Sequence, residues 1–248
     1  MKLSISAVSH VGCVRHNNED MILVGSQYVR NESIADMVDL DGKYRYLVAL
    51  ADGMGGHNSG EIASSDVLSN LHYFFYDLPA SGMSVSDFNE AICEWLESIN
   101  TIIDSKGHSE PQFYNMGTTL VAFAYFSDEF YWMNCGDSRV YHLHDGHLQQ
   151  LSTDHSLNNL IGESEHSNII TNCIGGGCKT SYVDMVTCTP QVSPGEVYML
   201  CSDGLTDMVA DADIERMLNE GADADQLCAA AIEAGGHDNI SVCLIKIV

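Results

Sequence analysis

Apolar residues in the first part of the chain fall into three runs that are typical of β-strands. The runs are Leu3–Ser9, Asp20–Val24 and Tyr46–Ala51, and polar or glycine-containing segments bound each of them. Residues 26–43, between the second and third runs, are mostly polar and end in an Asp-Gly turn signal. This segment is therefore interpreted as a polar insertion, and the pattern predicts three strands before the first helix.

Two amphipathic helices are predicted next, one from Ser59 and one from Ser86, which is a good N-cap residue. In both segments the apolar residues recur at the three- and four-residue spacing of one helix face. Each face must be buried against a partner, and a β-sheet is the partner that the chain offers. The apolar positions are Ile62, Ala63, Val67, Leu68, Leu71 and Phe74 in the first helix, and Phe88, Ile92, Trp95, Leu96, Ile99 and Ile103 in the second.

Strands predominate again in the second half of the chain. The predicted strands are Thr118–Tyr125, Phe130–Cys135, Arg139–Leu143, Tyr182–Cys188, Val197–Cys201 and Ile240–Val248, with short helices at Asp211–Asn219 and Ala224–Ala234. Because strands and helices come in blocks and do not alternate, the order favours an α+β fold with mainly antiparallel sheets, arranged as a layered sandwich. No repeat or low-complexity linker divides the 248 residues, so one domain over 1–248 is predicted.

The charge of the chain narrows the classes of partner. It has 35 acidic and 10 basic residues, a formal net charge of −25. Nucleic acid and anionic membranes would be repelled, so neither is expected as a partner. The chain starts without the apolar run of a signal peptide, and no segment approaches membrane-spanning length. We expect a cytoplasmic monomer whose acidic residues form a solubilising surface, gather round cations, or do both.

Cysteine and histidine patterns give two further candidates. The nine cysteines include no CxxC pair and no zinc-finger spacing, and most are interpreted as buried reduced thiols. Cys173 and Cys178, on either side of an Ile-Gly-Gly-Gly run, are kept as a candidate redox pair. The sequence HLHDGH, residues 142–147, alternates round an Asp-Gly turn. It is interpreted as a solvated hairpin in preference to a metal site.

Acidic residues recur at the predicted ends of strands. The strand-end acids are Glu19, Asp20, Asp52, Asp137, Asp203 and Asp238. Strand ends of one sheet layer can lie side by side, so these carboxylates are expected to converge. Clustered carboxylates repel one another unless protons or a cation compensate them. Ligation by oxygen atoms alone suits Mg²⁺ or Mn²⁺, and the spacing therefore predicts a metal site.

Six motifs follow one another in an order that resembles a known family. They are RHNNED (15–20), ADGMGGH (51–57), MGTT (116–119), GDSR (136–139), CSDGLTD (201–207) and HDN (237–239). Together they resemble the metal-dependent serine/threonine protein phosphatases of the protein phosphatase 2C type, and DGMGGH looks like the bacterial branch. The resemblance runs from about Leu3 to Val248. It implies a four-layer α/β/β/α sandwich with two antiparallel sheets and a metal site at one end between them.

The resemblance also implies which residues bind metal. Asp52 would bridge two tightly bound Mn²⁺ or Mg²⁺ ions, and Gly53 would offer its carbonyl oxygen. The first ion would be held by Asp203 and Asp238. Asp20, with Glu19 beside it, would support the second ion through water. A third, weaker ion would lie between Asp137 and Asp203. Paired divalent ions lower the pKa of a shared water, which can then attack phosphorus at neutral pH.

Three other residues are weighed for the reaction. Arg15 is expected to stabilise the phosphoryl oxygens, with an ion pair that balances the acids as the alternative. His57 is the candidate that protonates the leaving group, although it would otherwise pack the loop or hold water. Arg139 is interpreted as structural. Met54 stands where the resemblance places a histidine in animal enzymes.

The expected function is metal-dependent hydrolysis of phosphoserine and phosphothreonine in proteins, opposing a serine/threonine kinase. No arginine has a cysteine at the spacing of a cysteine-based phosphatase, and no P-loop motif occurs. A phosphoprotein-binding regulator with the same fold and weak turnover is the alternative. The flap, at about 156–181, is shorter than is usual in relatives, so substrate selection follows least securely from the resemblance.

Overall fold

The computed structural model describes residues 1–55, 59–80, 82–161 and 169–248. The strands are β1 (Lys2–His10), β2 (Met21–Val24), β3 (Gln27–Val29), β4 (Glu32–Asp39), β5 (Arg45–Ala51), β6 (Gly53–Met54), β7 (Gly117–Thr118), β8 (Leu120–Phe126), β9 (Glu129–Cys135), β10 (Arg139–His144), β11 (His147–Gln150), β12 (Ile174–Gly175), β13 (Asp184–Thr187), β14 (Val197–Cys201) and β15 (Ile240–Ile247). The helices are α1 (Ser59–Asp77), α2 (Val85–Ser109), α3 (Leu157–Ile161), α4 (Asp203–Thr206), α5 (Asp211–Asn219) and α6 (Ala224–Glu233).

Two six-stranded sheets form the centre of the molecule. Sheet A has the order β11-β10-β14-β15-β1-β4, and sheet B has the order β13-β9-β8-β5-β2-β3. A small third sheet, β12-β7-β6, extends from one end of sheet B. The first and last strands pair antiparallel along their whole length, with Leu3 opposite Ile247 and His10 opposite Ile240. This pairing places residues from the two ends of the sequence side by side.

Three hydrophobic layers separate four layers of secondary structure. One layer lies between the sheets and includes Leu3, Val48 and Phe123. A second packs α1 and α2 on sheet B, and a third packs α5 and α6 on sheet A. Alternate strand residues thus enter different layers, as the two-residue period of a strand requires. The α+β class and the four-layer sandwich with antiparallel sheets are confirmed.

The start of α2 differs from the sequence prediction. The N-cap is Ser84 and not Ser86, because the Ser84 hydroxyl accepts a hydrogen bond from the backbone N–H of Asp87 at 3.1 Å. The Asp87 carboxylate in turn accepts the backbone N–H of Ser84 at 3.0 Å. This reciprocal capping box satisfies two donors at the helix terminus, whereas Ser86 already lies inside the helix.

Residues 26–43 are not simply a polar insertion, and that prediction is wrong. They form β3 and β4, and β4 pairs with β1 from Lys2 opposite Asp39 to Ser9 opposite Glu32. As an edge strand, β4 is specified by backbone pairing, and most of its side chains are exposed. Apolar alternation, the signal used for strands, is therefore weak there. The predicted strand Thr118–Tyr125 is also divided, at Thr119, between the small sheet and sheet B.

The remaining predictions have mixed outcomes. Residues 142–147 form the expected hairpin, with left-handed φ angles of 48° at Asp145 and 80° at Gly146. The description "solvated" is wrong for His142, which is 7% exposed because its side chain enters the sandwich.

Cys173 and Cys178 are free thiols whose sulfur atoms lie 3.2 Å apart. None of the described helices is long and apolar enough to cross a membrane.

Candidate metal centre

The strand-end acids meet at one end of the sandwich. Asp52 lies between β5 and the small sheet, and Asp137 lies between β9 of sheet B and β10 of sheet A. Asp203 follows β14, and Asp238 precedes β15. Tight backbone contact joins these segments, since a Cβ at Gly204 would lie 2.0 Å from the carbonyl oxygen of Asn239. The predicted convergence is therefore present in the structure.

Hydroxyl groups of the MGTT motif hold the backbone of Asp52. The Asp52 N–H donates to Thr119 Oγ1 at 3.0 Å, and the Asp52 carbonyl accepts from the Thr118 hydroxyl at 2.8 Å. Thr119 Oγ1 also lies 2.7 Å from Ser138 Oγ of the GDSR motif. These bonds fix the point at which β5 leaves sheet B. As a whole residue, Asp52 is half-buried.

Glycine is required beside Asp52. A Cβ at Gly53 would lie 2.1 Å from the carbonyl oxygen of Gly60 and 2.6 Å from that of Glu19. This contact brings β6 against the first turn of α1, where the Glu19 carboxylate lies close to Gly60. Burial raises the pKa of Glu19, although Arg15 opposes that shift. The backbone of Glu19 thus lies beside Gly53, the residue that follows Asp52.

Asp20 is fully buried at this end of the sandwich. Its Oδ2 accepts a hydrogen bond from the Ser202 hydroxyl at 2.8 Å. Its Oδ1 is also buried and has no hydrogen-bond partner among the described residues. Burial, with a smaller contribution from the charge of Asp238, raises the pKa of Asp20 to about 6. A buried carboxylate oxygen without a donor is costly and needs positive charge nearby.

Mutual repulsion marks the rest of the cluster. Burial, then the charges of Asp20, Asp203 and Asp137, raises the pKa of Asp52 well above its ordinary value. The pKa of Asp203 is raised in the same way, by burial and then by Asp137 and Asp238. Burial raises the pKa of Asp137 to about 6. The donor set is therefore made of oxygen atoms and is short of positive charge, which fits Mg²⁺ or Mn²⁺.

The structure adds Asp207 to this acidic group. Asp207 follows the single turn of α4, and its N–H donates to the Asp203 carbonyl at 2.8 Å. Its charge contributes to the raised pKa values of both Asp203 and Asp137. Asp207 is part of the CSDGLTD motif, but the resemblance gave it no role. The four-residue spacing from Asp203, one helical turn, was the available signal.

Arg15 and Asn239 frame the side of the cluster at Asp238. Arg15 donates to Asp238 Oδ2 at 2.6 Å, and 54% of its side chain is exposed. This ion pair is the alternative that the sequence left open, and it leaves the guanidinium within reach of a ligand. The Asn239 side chain accepts the Glu19 N–H at 2.8 Å and donates to the carbonyls of Val11 and Asn17 at 3.0 and 2.9 Å. Asn239 therefore ties the RHNNED and HDN motifs together.

Arg139 lies apart from these contacts. Arg139 bonds both carboxylate oxygens of Asp154, at 2.7 to 3.0 Å, and the Tyr141 hydroxyl at 3.1 Å. This bidentate pair agrees with a structural role. His57 lies outside the described residues. The motifs include Ser138, Ser202 and Asn239, but the sequence predicted no role for them. Sequence alone does not show which groups their side chains bond.

Comparisons with known proteins agree with this fold. A family model described as protein phosphatase 2C matches residues 26–231. The putative protein phosphatase 2C-type of Streptococcus pyogenes is 32% identical over 258 residues, covering 98% of this chain and 97% of that protein. The serine/threonine protein phosphatase PstP of Mycobacterium tuberculosis is 31% identical over 256 residues, covering 99% of this chain. The chain spans only 45% of the length of PstP.

Solved structures extend the similarity to three dimensions. The serine/threonine phosphatase of S. agalactiae has a TM-score of 0.83 at 29% identity, covering 99% of this chain and 100% of that chain. The catalytic domain of PstP in complex with two manganese ions has a TM-score of 0.74 at 31% identity, covering 99% of each chain. The fold is thus that of bacterial serine/threonine phosphatases. The chain belongs to the protein phosphatase 2C family, as its motifs predicted.

Proposed function

We propose that this protein hydrolyses phosphoserine and phosphothreonine esters in proteins, with Mn²⁺ or Mg²⁺ bound at the acidic cluster. The observation that carries the proposal is the convergence of strand-end carboxylates, among them a buried Asp20 oxygen that lacks a donor. Membership of the family and the two manganese ions in the related PstP structure support it. The acids that the metal mechanism needs are all present, which favours an enzyme over a binding module; they are Asp20, Asp52, Asp203 and Asp238.

Each acid has a distinct place in this proposal. Asp52, with the other acids around it, would be a ligand of two ions, together with the Gly53 carbonyl oxygen. Asp203 and Asp238 would hold the first ion. Asp20 and Glu19 would support the second ion. Asp137 and Asp203 would hold a third, weaker ion, and the charge of Asp207 would strengthen that position.

The chain's own residues bind and orient the substrate. When bound, the divalent ions supply positive charge beside the phosphoryl group and a water of lowered pKa for in-line attack. Arg15 binds the phosphoryl oxygens through donors of its exposed guanidinium. His57 gives a proton to the departing serine or threonine oxygen. If so, His57→Ala slows turnover of a phosphothreonine peptide far more than that of p-nitrophenyl phosphate, whose leaving group needs no proton.

The wider setting follows from the same activity. The substrates are phosphoproteins, and a serine/threonine kinase supplies them. We retain one catalytic domain over residues 1–248, a flap at about 156–181 beside the site, a monomeric state and a cytoplasmic signalling role as predictions. The pairing of β1 with β15 supports one domain, because residues from both ends share a sheet. Part of the flap, residues 162–168, lies outside the described residues.

A phosphatase assay on matched peptides tests the proposal. Phosphoserine, phosphothreonine and phosphotyrosine peptides are incubated with protein treated with chelator, and then with Mn²⁺ or Mg²⁺ restored. We expect almost no turnover after chelation, recovery with either ion, and a preference for the first two peptides. Full activity in excess chelator would exclude the mechanism. Peptide binding without turnover under every metal condition would instead establish the phosphoprotein-binding alternative.

A further inference from the structure

Three side chains with metal-binding atoms meet at the end of sheet A opposite the acidic cluster. His142 Nε2 lies 2.6 Å from Glu196 Oε2, and His144 Nδ1 lies 2.7 Å from Glu196 Oε1. One ligand atom from each residue lies within 4.8 Å of the others. Within residues 1–55, 59–80, 82–161 and 169–248, no other trio of histidine, cysteine or acidic side chains is grouped so closely.

The trio is separate from the proposed catalytic centre. Asp137 precedes β10 and His144 ends it, while Glu196 precedes β14 and Asp203 follows it. The two strands are antiparallel neighbours. At about 3.3 Å per residue, the seven residues from Asp137 to His144 span roughly 23 Å. An ion bound by the trio would therefore share no ligand with the acidic cluster.

The sheet sets the positions of these side chains. Leu143 is paired with Val197, so the next position along the register brings His144 beside Glu196. His142, two residues earlier, lies on the same face, and its ring stacks on Tyr198 with centroids 4.4 Å apart and planes at 6°. The stacking fixes the orientation of the His142 ring.

The backbone of Glu196 is held on both sides. Its N–H donates to the Ser193 carbonyl at 3.1 Å, and its own carbonyl accepts the Ile247 N–H at 2.9 Å. His142 and His144 thus lie on β10, and Glu196 directly precedes β14 with its backbone hydrogen-bonded, which is the support that a preformed site needs.

The trio is buried on one side and open to solvent on the other, as a ligand site needs to be. His142 and Glu196 are 7% and 9% exposed, whereas the side chain of His144 is 60% exposed, so an ion can enter from that side. His147 is paired directly with His144 across the turn. Directly paired residues of neighbouring strands lie on one face, so His147 lies on the same face as His144, outside the trio.

We propose that His142, His144 and Glu196 bind one transition-metal ion of the Zn²⁺ type. Two imidazoles and a carboxylate are a ligand set that Zn²⁺ accepts, whereas Mg²⁺ and Mn²⁺ prefer oxygen atoms. Tetrahedral ligands at zinc distances stand about 3.3 Å apart. The two nitrogen–oxygen distances between the histidines and Glu196 are now 2.6 and 2.7 Å. Each distance therefore increases by less than about 1 Å when the ion replaces the hydrogen-bonding proton. The ion clamps the β10–β11 hairpin to β14.

Zn²⁺ binding to two matched variants tests the site. His144→Ala removes a largely exposed ligand, so the fold is retained. His108→Ala is the control, because His108 is also exposed, at 72%, and lies 3.6 Å from a single acid, Asp104. Bound Zn²⁺ is counted by equilibrium dialysis and elemental analysis, with Mg²⁺ saturating in every cell. Any Zn²⁺ taken up by the acidic cluster is then common to all proteins.

We expect the wild type and His108→Ala to bind one more Zn²⁺ tightly than His144→Ala does. Loss of a direct ligand should weaken that site by at least the roughly 10–100-fold that loss of an outer partner costs. Glu196→Gln, which keeps its shape, should lose the same ion, and Zn²⁺ should raise the Tm of the control more than that of His144→Ala. Equal Zn²⁺ binding in wild type and His144→Ala would overturn the proposal and leave a hydrogen-bonded trio only.

Discussion

Strands β10 and β14 carry a polar cluster at each of their two ends, and the clusters differ in charge. At the acidic end, Asp203 faces other carboxylates, and burial together with the charges of Asp137 and Asp238 raises its pKa. At the histidine end, the carboxylate of Glu196 is almost fully buried, yet His142 and His144 bond both of its oxygens. The pKa of His144 is raised, first by its hydrogen bond to Glu196.

The two ends of this pair of strands compensate the charge of buried carboxylates in different ways. Carboxylates that face one another need protons or a bound cation, whereas a carboxylate between two imidazoles is compensated by the protein itself. The acidic end should therefore depend on a hard divalent ion for activity and stability. The histidine end should keep its structure without an ion and bind a softer one when it is supplied.

The largest effect is expected from removing one charge at the acidic end. Asp52→Asn should lower kcat on a phosphothreonine peptide by at least the roughly 10²–10³-fold that loss of one electrostatic group costs. Asp145→Asn is the matched control, because it removes the same charge beyond the histidine end, at a left-handed turn position that asparagine tolerates. Equal losses in both variants would contradict the division between the two ends.

Metal removal should act on stability as well as on activity. At about one hundred times its Kd, Mn²⁺ should stabilise the folded protein by about 2.7 kcal/mol, which raises the Tm of a chain of this size by roughly 5–11 °C. Scanning fluorimetry of chelated protein, with and without Mn²⁺, measures the shift. Asp203→Asn should lose most of it, and Asp145→Asn should keep it. An undiminished shift in Asp203→Asn would place the ion elsewhere.

Two arginines should separate catalysis from structure. Arg15→Ala should lower kcat/KM roughly tenfold, the loss of about 1.5 kcal/mol expected for a charged hydrogen bond, with little change in stability because its ion pair is exposed. Arg139→Ala should instead cost about 2–3 kcal/mol of folding free energy, below the value for a fully buried pair. Urea unfolding and kinetics of both variants measure the contrast. If Arg15→Ala mainly lost stability and Arg139→Ala mainly lost kcat/KM, Arg15 would be the structural arginine and Arg139 the catalytic one.

Sequence predicted the acidic end well because its residues are local signals. Each acid adjoins an apolar strand, so the strand pattern and the carboxylate can be read together, and the bounds of β14 and α5 agree with the predicted ones. Edge strand β4 could not be predicted in this way, since its pairing with β1 does not require buried side chains. The prediction of Ser86 as the N-cap was wrong because a cap is defined by a hydrogen bond to the backbone, which Ser84 makes, and not by residue type alone.

The histidine end illustrates what sequence leaves out. Glu196 lies 54 residues from His142 and 52 from His144, so nothing in the local pattern joins them. The alternation of HLHDGH was sufficient to predict a hairpin but not the layer that its histidines enter. The same limit applies to Asp52, whose motif predicted a metal ligand without showing which hydroxyl groups hold it in place.

The smallest effect is expected from one of those hydroxyls. Thr119→Val keeps the shape of the side chain but leaves the Asp52 N–H without the acceptor that it now has at 3.0 Å, and removes the partner of Ser138. A buried group deprived of its partner costs about 1–3 kcal/mol, and the freed backbone should also weaken Mn²⁺ binding. Thr119→Ser keeps the hydroxyl and should restore most of the stability and most of the Mn²⁺ affinity. Urea unfolding measures the stability, and calorimetric titration measures Mn²⁺ binding. If Thr119→Ser loses as much stability and Mn²⁺ affinity as Thr119→Val, the methyl group of Thr119 holds the site instead. That methyl group is tightly packed, because a Cβ at Gly136 would lie 2.7 Å from it.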